Sequence, residues 1–150
     1  MKLATALSER AELQRKLSEL GTRLNNNAKT QEGEKPAEDP QALLAELDGA
    51  LGRMEELIAR INLTNSRTQS GGVTVTELIA KRDVLRRRLA MLRSFLDNAS
   101  SKVDRYSKTE IRIVSTVDVA ALQKRADAAA KELRETDEHI QELNWTTELL

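Results

Sequence analysis

The one histidine of the chain, His139, lies between Glu135 and Glu142 on one face of a helical stretch. An imidazole flanked by carboxylates at that spacing is the beginning of a bundle metal site, which requires inward Glu-x-x-His motifs on two helices and further glutamates. Here Thr136 stands three residues before His139 and no second histidine exists. The motif is incomplete, so His139 reads as a surface imidazole among acids beside Ile140, and no metal is expected.

A second constellation is cationic: Lys81, Arg82, Arg86, Arg87, Arg88 and Arg93. Such clusters bind phosphates, and Arg86, Arg87 and Arg93 are the candidate contacts. Helical spacing spreads these side chains around the axis, however, and no aromatic platform for stacking bases accompanies them. A solvated face with carboxylate partners is the expectation. Lys and Arg total 24, as do Asp and Glu, so no bulk charge draws the chain to nucleic acid or an anionic membrane. Nucleic-acid binding through this helix is the alternative function, not the expected one.

The third constellation is apolar. Ala80, Val84, Met91 and Phe95 form a second stripe beside the main seam of their helix. A helix with two apolar faces is central in its bundle or covered by another chain. Val84, Met91 and Phe95, with Ile111, Ile113 and Trp145, are therefore the candidate interaction or oligomer surface. Arg10 and Arg82 interrupt otherwise apolar seams. A guanidinium there must pair or reach water, and fixing helix register is the expected use. Cysteine is absent, which removes disulfides and thiolate chemistry. No phosphate-cradling glycine loop, nucleophile–base pair or zinc spacing is present, so neither catalytic residues nor cofactors are expected and the chain does not read as an enzyme.

Four amphipathic helices would position these groups, over about 2–28, 40–62, 75–104 and 117–147. The first seam is Leu3, Ala6, Arg10, Leu13, Leu17, Leu20, Leu24 and Asn27, alternating steps of three and four. The second is Leu44, Leu47, Leu51, Met54, Ile58 and Ile61, widened by Leu43, Ala50 and Leu57. That width exceeds a two-stranded coil and argues for a bundle of three or more helices. Asp39-Pro40 suits the start of the second helix, and Thr74 with Glu77 reads as a capping box opening the third. Thr64 to Gly72 reads as a polar connection. Around 109–114 the β-prone Ile111, Ile113 and Val114 suggest one short extended segment, and Ser115 and Asp118 suit the cap of the fourth helix. Ala126 and Ala129 in the fourth seam admit close approach of a neighbour.

The chain has 150 residues, 39% hydrophobic and 32% charged, with one each of Trp, Tyr and Phe. Aliphatic side chains at helical period among many charges mark coiled coils and long helices. The expected fold is a single all-α domain, an elongated antiparallel four-helix bundle or pair of coiled-coil hairpins. The amino-terminal stretch is charged too early for a signal peptide, and nothing approaches the roughly 18 apolar residues of a membrane span. A cytoplasmic homo-oligomer, with an unidentified protein partner and no membrane, is the resulting expectation.

Several stretches carry a resemblance: Glu32 to Pro40, Ala59 to Ser66, Asp104 to Ser107, Ile111 to Lys124, and Ile140-Gln141 with Asn144-Trp145. Together they resemble a family of small bacterial helical proteins that goes by the name septicolysin. The resemblance spans nearly the whole chain. It implies a helical bacterial protein, its name implies a cytolysin, and it carries over no catalytic residue.

Overall fold

The structure, a computed structural model, describes residues 1–101 and 112–150. The chain is all-α: α1 covers Leu3–Asn26, α2 Pro40–Arg67, α3 Val75–Ser100 and α4 Val119–Thr146. A small antiparallel hairpin of β1 (Gln69–Ser70) and β2 (Val73–Thr74) precedes α3. The chain divides into two compact units, Met1–Val75 with Gln141–Leu150, and Thr76–Ile140.

In the first unit α1 and α2 run antiparallel. Leu3 and Ala6 meet Leu57, Ile61 and Leu149 at one end, and Leu20 meets Leu43 and Ala50 at the other. Leu13 packs against both clusters and makes the core continuous. Full burial of such a side chain contributes about 1.5–3 kcal/mol. The Asp39 side chain accepts the Gln41 N–H at 3.0 Å, with Pro40 opening α2, so the expected cap forms. Asn27 is the C-cap of α1 and is buried rather than frayed: its amide donates to the Arg23 carbonyl at 2.8 Å and accepts the Glu38 N–H at 2.9 Å. Both of its polar ends are used, which ties the connection back onto the helix.

α2 continues past the expected end near Asn62 to Arg67. Buried Thr64 sustains it, donating its hydroxyl to the Arg60 carbonyl at 2.8 Å and accepting the Leu150 N–H at 3.0 Å. The polar connection is thus shorter than expected, and it folds as the β1–β2 hairpin. Gly71 and Gly72 sit at φ 60° and 81°, where side chains with a Cβ are strained, so the glycines make the two-residue turn. Thr74 then occupies the N-cap position of α3 and Glu77 its third residue, the spacing a capping box requires. The carboxy-terminal tail docks on this unit through Leu3 N–H to the Thr147 carbonyl, 2.9 Å, and Leu149 N–H to the Met1 carbonyl, 2.8 Å.

In the second unit α3 and α4 also run antiparallel. Leu89 packs with Ala126 and Ala129, flanked by Leu92, Ala130 and Leu133, while Arg82 reaches Asp137. Helix α3 is described to Ser100, and the expected end near Asp104 lies outside the described residues. The Asp118 side chain accepts the Ala121 N–H at 3.1 Å and caps α4, while Ser115 is taken up by a local bond with Val117. The expected extended segment around 109–114 falls partly outside the described residues, Ile111 included, and the described remainder, 112–114, forms no strand.

Candidate interaction surfaces

On α3 the buried residues Leu78, Leu85, Leu89 and Leu96 recur at steps of seven, four and seven. Val84, Met91 and Phe95 recur at seven and four on a different face and are 58%, 74% and 48% exposed. The second stripe read from the sequence is therefore real and open to solvent. Beside it, Phe95, Asn98 and Ala99 line a shallow hollow with the 113–116 segment, so Ile113 and Val114 stand next to the lower end of the row. Ile111 lies outside the described residues. Trp145 belongs to the first unit, where its ring is exposed.

The cations of α3 divide into two sets. Lys81 pairs with Glu132 of α4 at 2.9 Å, and that hydrogen bond holds the Glu132 carboxyl below the usual carboxylate range. Arg82 lies 3.1 Å from Asp83 and 3.7 Å from Asp137, and Arg86 shares Asp137 at 3.7 Å. The Arg82 side chain is only 20% exposed, so its seam position is satisfied by carboxylates on its own helix and on α4. Arg87, Arg88 and Arg93 form no ion pair with the described residues and leave the helix in different directions. No continuous phosphate-binding row results. Half-buried His139 stands near no metal-holding group: among the described residues no cluster of three or more His, Cys, Asp or Glu side chains could hold a metal ion.

The α1–α2 pair has two unlike flanks. Along one, ion pairs bridge the helices: Arg53 binds Glu9 at 2.6 Å, Lys16 binds Glu46 at 2.9 Å and Arg23 reaches Glu46 at 3.7 Å, while Arg53 also binds Glu56 of its own helix at 2.7 Å and Arg23 binds Glu38 of the connection at 2.6 Å. These bonds hold the carboxyls of Glu9, Glu56, Glu46 and Glu38 below their ordinary range and push Arg53 up. Along the other flank α2 presents Leu44, Leu51 and Ile58, spaced seven apart and 40%, 47% and 41% exposed. The core instead takes Leu43, Ala50 and Leu57 from the widened side of the stripe, together with Met54 and Ile61.

Leu44, Leu51 and Ile58 were expected inside the bundle, and this face was not singled out in the sequence. The signal was present, since an apolar stripe that fills three heptad positions has one row more than a single neighbour covers. Arg10, the interrupting residue of the α1 seam, is half-buried and forms no ion pair with the described residues; nor do Asp48 and Glu55 of α2.

Residues 10–149 match a family of unknown function (DUF6847). No curated protein matches the chain. The crystal structure of a functionally unknown conserved protein from Corynebacterium diphtheriae is similar throughout: the TM-score is 0.91 at 45% sequence identity, covering 100% of this chain and 99% of that one.

Proposed function

The chain belongs to this family of unknown function, and on that premise we propose that it is a non-enzymatic helical interaction protein that associates with copies of itself. The observation that carries the reading is that six of its exposed large apolar side chains stand in two rows at helical spacing, Leu44, Leu51 and Ile58 on α2 and Val84, Met91 and Phe95 on α3, the second being the more exposed. Scattered surface leucines need no explanation, but an ordered apolar row costs solubility unless something covers it. The α3 row, bordered by Ile113, is the proposed contact for another protein chain.

Native mass measurement across a wide concentration range tests self-association; a monomer throughout would overturn it. Capture of partners from host lysate with the wild type and with Met91→Glu tests the α3 row, and equal capture by both would exclude it. The reading keeps the cytoplasmic location expected from the sequence.

A second reading, nucleic-acid binding, is favoured only by Arg87, Arg88 and Arg93, which form no ion pair with the described residues. It requires a gel shift at low salt that weakens steeply with salt and disappears in Arg87→Glu/Arg93→Glu. The cytolysin that the septicolysin name implies finds no counterpart in the matching family's description. No helix among the described residues is long and apolar enough to cross a membrane. Release of dye from vesicles by the pure protein is the outcome that would restore that reading.

A further inference from the structure

We infer that the open flank of the α1–α2 pair is the seam between two copies of this chain, closing two hairpins into a four-helix bundle. This rests on the self-association reading and assigns it a surface, distinct from the α3 row. Three observations converge on it.

The first is periodicity. Leu44, Leu51 and Ile58 occupy one heptad position through two full heptads of α2, and the next apolar position along the stripe is filled by Leu47, Met54 and Ile61. A seam of this kind is completed by a helix lying along it, not by a small ligand or a loop. In α1 the heptad position on the same flank holds Leu7, Gln14 and Gly21. Because α1 and α2 are antiparallel, the two rows widen the core toward the same side, and the small and neutral residues of α1 leave room for a facing helix.

The second is extent. Two helices, each about 10 Å across and about 36 Å long, present a face of about 700 Å². That is close to the roughly 800 Å² per partner of a standard stable interface.

The third is charge, and it selects the occupant. The ion-paired flank has satisfied its charges within one chain. On the open flank Arg10 of α1 and Asp48 and Glu55 of α2 form no ion pair with the described residues. The Glu9–Arg53 bond shows that Arg10 stands level with the stretch between those two acids. A two-fold axis along the hairpin lays α2 of one copy against α1 of the other, and Arg10 of each copy then faces the acids of its partner. The alternative axis lays α2 on α2 and sets Asp48 and Glu55 against their own copies, which is repulsive. A second copy thus supplies both the leucine row and the matching charge.

The test compares native mass and dimer dissociation for the wild type, Ile58→Lys, Met91→Glu, Arg10→Glu and Arg10→Glu/Glu55→Arg, with helix content checked by circular dichroism. Ile58 is substantially exposed, so a lysine there is tolerated by the folded monomer. The expected result is a wild-type dimer whose dissociation constant rises roughly 30-fold or more in Ile58→Lys and is unchanged in Met91→Glu. Arg10→Glu weakens the dimer and Glu55→Arg restores it. A wild-type dimer left intact by Ile58→Lys would overturn this seam while leaving self-association standing. A wild-type monomer would overturn both.

Discussion

The two helix pairs of this protein are built from different materials. The α1–α2 pair buries large side chains completely: Leu3, Leu20 and Leu57 are inaccessible and Ile61 nearly so. It adds a ladder of inter-helix ion pairs and a docked carboxy-terminal tail. The α3–α4 pair packs Leu89 on the small side chains of Ala126 and Ala129, and its leucines, Leu78, Leu85, Leu89 and Leu96, each keep 4–9% of their surface in water. Apolar area, and not helix length, sets how firmly a helix pair holds. The comparison assigns the scaffold to the first pair and the more easily opened helices, with the exposed Val84–Met91–Phe95 row, to the second.

The largest test of that contrast is truncation. Leu57→Ala removes a fully buried side chain from the cluster with Leu3, Ala6, Ile61 and Leu149 and is expected to cost about 3–5 kcal/mol in urea unfolding. Leu89→Ala, facing alanines, is expected to fall at about 2–3 kcal/mol, because a smaller contact is lost. Native-state amide exchange should show the same order, with α1 and α2 protected longer than α3 and α4. Equal costs, or faster exchange in α1–α2, would break the comparison.

Enlargement probes the other side. Ala129→Leu forces apart two helices that meet over a small residue and is expected to cost about 1–3 kcal/mol. Thr64→Val keeps the shape of a buried residue but leaves the Leu150 N–H without its acceptor, at an expected cost of about 1–2 kcal/mol. A neutral Thr64→Val would show that the tail adds nothing to the firmer pair.

How much of this was legible in sequence follows from what each residue answers to. The helical period of the four seams and the Asp39-Pro40 and Asp118 starts depend on neighbours within a turn or two, and they emerged at or near their expected places, although the α2 core turned to the Leu43, Ala50 and Leu57 side. The end of α2 was missed because the acceptor role of Thr64 depends on Leu150, 86 residues away. The capping bonds of Asn27 were not legible because Glu38, its partner across the loop, is not visible in local spacing. On the candidate surfaces, the Val84, Met91 and Phe95 face followed from counting apolar faces on one helix, while its exposure was one of two outcomes that the count left open. The Leu44, Leu51 and Ile58 row did not, because three apolar heptad positions say that something is left over without saying which position a neighbour will choose. That choice depends on the flanking charges of α1, where Glu9, Lys16 and Arg23 pair with Arg53 and Glu46 of α2.

Acid sharpens the contrast with the smallest effect. In the first unit Glu9, Glu38, Glu46, Glu56 and Glu148 are all held below the ordinary carboxylate value of 4.5 by hydrogen bonds from Arg53, Arg23, Lys16, Arg53 with Arg60, and Lys2. In the second unit Glu132, bonded to Lys81, is the described carboxylate so affected. A carboxylate whose folded value is depressed adds stability that is present above its unfolded value and lost as pH falls through its folded one. The charges are exposed, so water screens each contribution and only the ordering is firm. Between neutral pH and 4.5 neither unit should change. Below that, as the pH is taken down to about 3, amide protection in α1 and α2 should fall more than in α3 and α4. Raised salt at neutral pH should move it in the same direction by less, since screening weakens the pairs without protonating them. Greater acid loss in α3–α4 would mean that the ladder along α1–α2 sets the rotation of its helices without adding to their stability.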